Sequence, residues 1–227
     1  MTEPHEKTGN LSNEAGDGGR YDIAYDEFLL DLIGGTGGVN VKDEQNGADI
    51  VVSRSELGKL YNSLGLKKPV LKKIVGAHAT VLEYGLNTGN ERVVVIDCKT
   101  GAKVADQRGT PSRVVFRLSK AYKGELVAVH NHPNSTPFSP VDLHTFGSYA
   151  QLRCIAVQGH TGKIYALRKT ADVEFNHTEK SLGLILTGIA VNPANKSKTD
   201  TEIGEIFVEM IAKTMQWEFI VGGELNG

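Results

Sequence analysis

The sequence predicts a mixed α/β (α+β) protein, a sheet domain with helices on either side of it in the chain. Three observations carry that expectation. Between residues 77 and 169 the runs ATVLEYGL, RVVVID, RVVFRL, ELVAVH, RCIAV and KIYALR are rich in β-branched and aromatic residues. Asn87-Thr88-Gly89-Asn90, Lys99-Thr100-Gly101 and Gly159-His160-Thr161-Gly162 separate them as turns. Outside this region apolar residues recur at helical spacing, and within it a single Ser-Pro-x-Asp start announces one more helix.

In chain order, residues 1–20 are polar and without period, and read as a disordered tail. Ile23, Leu29, Leu30 and Ile33 suit one face of a short helix over 21–33, which GGTGG at 34–38 ends. That glycine cluster lacks a following Gly-Lys-Ser/Thr and a preceding strand, so it reads as a linker running to about residue 48 and not as a phosphate loop. Residues 49–76 form a helical lead-in, with Leu57, Leu60, Tyr61 and Leu64 on one face of a helix from Ser53 to Leu64, followed by the solvated KKPVLKK segment. The sheet domain occupies 77–169, with its internal helix from about Pro140 to Leu152. Residues 170–227 read as two helical segments separated by a break at Asn192–Asp200. Ile203, Phe207, Met210, Ile211 and Met215 form an apolar stripe on the second, which packs on the sheet domain.

Composition narrows the function. Hydrophobic residues make up 40% and charged residues 23%, as in ordinary globular proteins, and the formal charge of -2 disfavours a phosphate-backbone binder. No run reaches the roughly 18 apolar residues of a membrane span, and MTEPHEKTGN lacks the layout of a secretory signal, so a cytoplasmic protein is expected. Cys98 and Cys154 sit in apolar strand-like runs without a Cys-x-x-Cys, which points to inert buried thiols.

The informative stretch is ELVAVHNHPNSTPFSPVDLHTF, residues 125–146. Alternate residues of a strand share a face, so Leu126, Ala128, His130 and His132 project together and both imidazoles can address one ion. Pro133 takes the chain out of the strand. Ser139 at the N-cap, Pro140 at N1 and Asp142 at N3 make a helix start, and those residues are sufficient for a cap and nothing more. Read for chemistry, the helix start returns Asp142 to the two histidines. Three protein ligands with one open position is the pattern of catalytic zinc. Hydrolysis also needs a carboxylate that is not a ligand to take and return a proton. Glu125 falls on the opposite strand face from the histidines, and Glu91 follows a turn and reads as an exposed hairpin residue. Glu83 shares a strand face with Ala79, Val81 and Gly85, which leave room around it, although it is also read simply as an edge-strand carboxylate. His144 and His160 are assigned to the surface or to places behind the ligands.

The ordered set Glu83, His130-x-His132 and Ser139-x-x-Asp142 resembles the JAMM (JAB or MPN) metalloprotease family. VAVHNHPNSTPFSPVDL and LEYGLNTGNERVVVID look most like its prokaryotic and phage branch, and the His-Asn-His-Pro opening is similar to the RadC group. The resemblance covers about 77–169. It implies a curved mixed sheet flanked by helices (a cytidine deaminase-like layout), one Zn2+ per chain held by His130, His132 and Asp142, Glu83 as acid/base and Ser139 supporting the tetrahedral intermediate. The loop from His132 to Ser139 is one residue shorter than the common family pattern. The expected activity is hydrolysis of a peptide or isopeptide bond in a protein substrate, possible targets being a ubiquitin-like conjugate or a phage or host protein. A non-catalytic scaffold module is the alternative. A nuclease is disfavoured because the motif residues of HNH endonucleases are dispersed along the chain and no basic stripe is present, so neither nucleic acid nor membrane is an expected partner.

Overall fold

Of the two long helices, the first begins where a proline can only start one. In the computed structural model, which describes residues 39–42, 49–52, 54–62, 64–119 and 121–222, Pro69 occupies the first turn of a helix from Lys68 to Thr88, preceded by α1 (Arg54–Asn62) and here called α2. Gly89 ends α2 in the left-handed conformation, its N–H bonded to the Gly85 carbonyl. Val70, Leu71, Ile74, Ala77, Val81, Leu82 and Leu86 are buried at helical spacing. The expected strand over ATVLEYGL is therefore helix. The short apolar run fits both periods, and the lysine-rich segment before it is the first turn of the same element.

Two further expectations are corrected. The linker reading fails at residues 39–42, where strand β1 (Val39–Lys42) pairs antiparallel with β2 (Asp49–Val52). RVVFRL has Val114, Phe116 and Leu118 buried and Val115 and Arg117 exposed, yet among the described residues its pairing is limited to the isolated Thr110–Arg113 bridge and it joins no sheet ladder. Alternation reports a half-buried extended chain; it does not guarantee a hydrogen-bonded neighbour. The tail over 1–20, the helix over 21–33 and the glycine cluster at 34–38 lie outside the described residues.

The main sheet has six strands in the order β4-β3-β5-β6-β7-β8. They are β3 (Arg92–Asp97), β4 (Lys103–Arg108), β5 (Leu126–His132), β6 (Leu152–Gly159), β7 (Ile164–Lys169) and β8 (Trp217–Gly222). Only β5 and β6 are parallel, joined by helix α3 (Pro140–Ser148); the other neighbours are antiparallel. After β7 come α4 (Glu179–Ala190) and α5 (Asp200–Met215), separated by a 3-10 turn at Pro193–Asn195. The sheet is thus mixed and covered on both faces, and the C-terminal segment contributes a strand, β8, as well as the expected helices.

Strand alternation sorts the core into two layers. Val94, Ile96, Val127, Val129 and Ala156 face α1 and α2. Val93, Val95, Leu126, Ala128, Ile155 and Val157 face the side of Phe146, Phe207, Ile211 and Trp217, carried by α3, α5 and β8. The central β5 is buried along its whole length, as both-face coverage of a parallel pair requires. No helix among the described residues is long and apolar enough to cross a membrane.

The helical phase of α2 makes adjacent residues behave oppositely. Leu82→Ala and Val81→Ala, both at fully buried positions, are expected to cost about 2–4 kcal/mol in urea unfolding, and Glu83→Ala, exposed, less than about 0.5 kcal/mol. A strand would pair Val81 with Glu83 on one face, so a costly Glu83→Ala contradicts the helix.

Candidate metal centre

The C-terminal end of β5 and the N-terminus of α3 meet at one point, the place where a strand–helix–strand crossover leaves a crevice. His130 and His132 arrive from β5, both buried. Asp142 arrives from the first turn of α3. His130 Nε2 lies 3.1 Å from His132 Nε2 and 3.2 Å from Asp142 Oδ1, and His132 Nε2 lies 3.4 Å from Asp142 Oδ2. Four ligands at metal distances of about 2.0–2.1 Å and tetrahedral angles sit about 3.3–3.4 Å from one another. The separation of the two ring nitrogens is near that edge, each ring has its own Asp142 oxygen at a similar distance, and one ligand atom from each residue lies within 4.8 Å of the others, so these residues could hold a metal ion.

Local bonding aims the lone pairs inward. His132 Nδ1 is 2.9 Å from the Thr136 carbonyl, which can only accept, so Nδ1 carries the proton and Nε2 of the neutral ring presents its lone pair to the cluster. Asp142 is fixed by a capping box: Ser139 N and Ser139 Oγ donate to its Oδ2 at 2.8 and 2.7 Å, and Asp142 N reaches Ser139 Oγ at 3.3 Å. The Ser139 hydroxyl, expected to face a tetrahedral intermediate, thus donates its hydrogen bond to the Asp142 carboxylate. Capping and ligand orientation, alternatives at the sequence level, are one and the same arrangement here.

The electrostatics follow from three groups in a small dry space. For Asp142, burial by itself raises the pKa, but the His130 and His132 rings outweigh it and the carboxyl sits well below its ordinary 3.8. For His132, burial lowers the pKa, while Asp142, Glu91 and the Thr136 carbonyl reverse that and the net shift is upward.

Glu83 and Glu91 exchange the environments expected of them. Glu83 is exposed on α2, and its charge is felt at Arg92, whose guanidinium forms a bidentate pair with Asp106 at 2.8 and 2.9 Å. Glu91 is 6% exposed. Strand β3 pairs with β5 through Val93 opposite His130, and two further steps along that register bring Glu91 level with His132, on the same face. Burial raises the Glu91 pKa above 4.5; His132 and His130 oppose this, Asp142 adds to it, and the Val114 amide bonds to the carboxyl. The misreading came from judging Glu91 by the turn before it. Its parity with Val93 and Val95 was the available signal, and it needed the β3–β5 pairing to become useful.

His144 and His160 lie off the cluster. His144 Nδ1 contacts the His177 carbonyl at 3.1 Å, and His160 Nε2 contacts Asn131 Nδ2 at 3.1 Å. Support for the loop after His132 comes from far along the chain. Ser135, at φ 53, takes the Thr161 amide on its hydroxyl at 3.0 Å. On α5, Gly204 abuts Pro137 so closely that a Cβ would lie 2.7 Å from the proline ring, and Glu205 binds Lys163 at 2.7 Å and Tyr165 at 3.2 Å. No protein-family model, curated protein or solved structure matches the chain.

The two shifts set opposite pH limits on the metal-free protein. The Asp142 contribution is present above its ordinary 3.8 and is lost as pH falls through the lower folded value. The His132 contribution is full below 6.5 and is lost as pH rises through its raised value. Between about pH 6 and about pH 8 the melting temperature of metal-free protein should therefore fall, while the increment from added zinc grows, because ligation needs unprotonated imidazoles. Melts with chelator and with zinc at both pH values check this. An increment that shrinks toward pH 8, or survives in Asp142→Ala, contradicts the site.

Proposed function

We propose that the protein is a zinc-dependent hydrolase of amide bonds, a metallopeptidase or isopeptidase of the JAMM type acting on a protein or peptide, with Glu91 as its general base. The observation that carries this reading is a buried carboxylate that the β3–β5 register sets level with His132, on the face that carries the three converging ligand residues, without being one of them. The placement of the cluster where a mixed sheet meets the start of α3 supports the family resemblance of the His130-x-His132 and Ser139-x-x-Asp142 strings.

The ligand chemistry, two imidazoles and one carboxylate, favours zinc, which when bound supplies a Lewis acid that polarises the scissile carbonyl and makes water a nucleophile near neutral pH. The chain's own groups do the rest. Asp142, held by Ser139, and His132, held by Thr136, keep the ligand set from rotating. Glu91 takes a proton from the attacking water as the new C–O bond forms. It then hands that proton to the departing nitrogen as the C–N bond breaks, leaving a carboxylic acid and an amine, which settle as carboxylate and ammonium. A raised pKa suits both halves of that task, since the group must accept and then release one proton. Glu83 has no part in the reaction.

Glu91→Gln should lower turnover by about 100-fold to 10,000-fold with zinc content unchanged, and Glu83→Gln should leave both at wild-type values. Zinc per chain and cleavage of fluorogenic peptides and of a lysine-linked ubiquitin dimer are the measurements. Full activity in Glu91→Gln would remove the base assignment.

A further inference from the structure

The residue between the two histidines points to the other face of the sheet, yet its side chain ends on the backbone around Glu91. Asn131 is fully buried. Its Oδ1 accepts the Arg92 amide at 2.8 Å, and its Nδ2 donates to the Asn90 carbonyl at 3.0 Å. These are the two peptide groups that flank Glu91. The backbone ladder between β3 and β5 ends with Val93 opposite His130. Beyond that point the Asn131 amide stands in for a peptide group, one acceptor and one donor, and continues the ladder past Glu91.

We propose that Asn131 is a positioning residue for Glu91, setting the carboxylate against the metal cluster; this rests on the base assignment made above. His160 fixes which way the amide faces. The second Nδ2 proton points to His160 Nε2 at 3.1 Å, so that nitrogen must offer a lone pair. A flipped amide would set oxygen against the Asn90 carbonyl and NH2 against the Arg92 amide. Gly85 admits the pair: a Cβ there would lie 2.2 Å from Asn131 Nδ2 and 2.3 Å from His160 Nε2, so α2 reaches this depth only as glycine. The strand thus directs its odd and even side chains to separate tasks. His130 and His132 face the metal on one side, and from the other Asn131 holds the base by its backbone.

A buried asparagine that only filled space would bond to whatever lay nearest. Here two of its three bonds go to the peptides on either side of one residue, and the third enforces their geometry.

The test uses the full chain with cobalt(II) in place of zinc, so that the Glu91 carboxyl carbon in 13C NMR is displaced according to its distance from the ion; Glu91→Gln assigns the signal. In Asn131→Ala, cobalt should bind at wild-type stoichiometry, the Glu91 signal should move most of the way to its metal-free position, and the Arg92 amide should exchange at least about tenfold faster. Asn131→Asp keeps the acceptor for Arg92 but loses both donors, and should fall between the two; it is also the fallback where Asn131→Ala folds poorly. An unchanged Glu91 signal in both variants overturns the proposal. So does faster exchange spread equally over Val127 and Val129, which marks loss of packing. A wild-type Glu91 signal insensitive to bound cobalt would overturn the base assignment itself, and the proposal with it.

Discussion

Two imidazole nitrogens and the two oxygens of one carboxylate are held in a buried corner, the nitrogens 3.1 Å apart and each ring with its own oxygen at 3.2 or 3.4 Å. Without a cation, or protons in its place, lone pairs at that distance repel in a medium that screens them poorly. Much of the local structure serves to keep them there. Thr136 sets the His132 tautomer, Ser139 grips Asp142 as it caps α3, and the buried strand β5 leaves the histidines little exposed. A helix N-cap is typically worth about 1 kcal/mol. The larger effect is that one serine spends its hydroxyl on the helix and the ligand together.

The parallel β5–β6 pair explains why the corner exists. A crossover helix must begin just beyond the C-terminal end of its first strand, so the end of β5 and the amide-rich start of α3 face the same small volume. An antiparallel hairpin in this place would have closed with a short turn and left no crevice. The remaining strands build the platform: β3 lines up Glu91, and β6 and β7 carry the loop that supports Ser135.

How much of this the sequence shows depends on whether the signal is local. His130, His132, Ser139 and Asp142 are legible because strand parity and helix capping act over a few residues. The helices α1, α4 and α5 are legible for the same reason. Glu91 was hidden because its burial depends on which strand lies beside β3, and pairing partners are not written in a single strand. ATVLEYGL reads as a strand because an apolar octamer satisfies either period, and the deciding facts are Pro69 at one end of a long helix and Gly89 at the other. Strand β8 follows a helix directly, with Gln216 in a left-handed turn, and a short apolar run after a helix reads as its continuation.

The spacing of the site along the chain has a consequence for the order in which it assembles. The three candidate ligands fall within a stretch from residue 130 to residue 142, a loop whose closure costs little entropy. The clamp around Glu91 joins Arg92 to Asn131 across 39 residues and exists only once the central strands have paired. The convergence of the three side chains is thus a local matter, whereas the placement of Glu91 requires the paired sheet. The two halves of the candidate site therefore differ in how much of the fold each one needs.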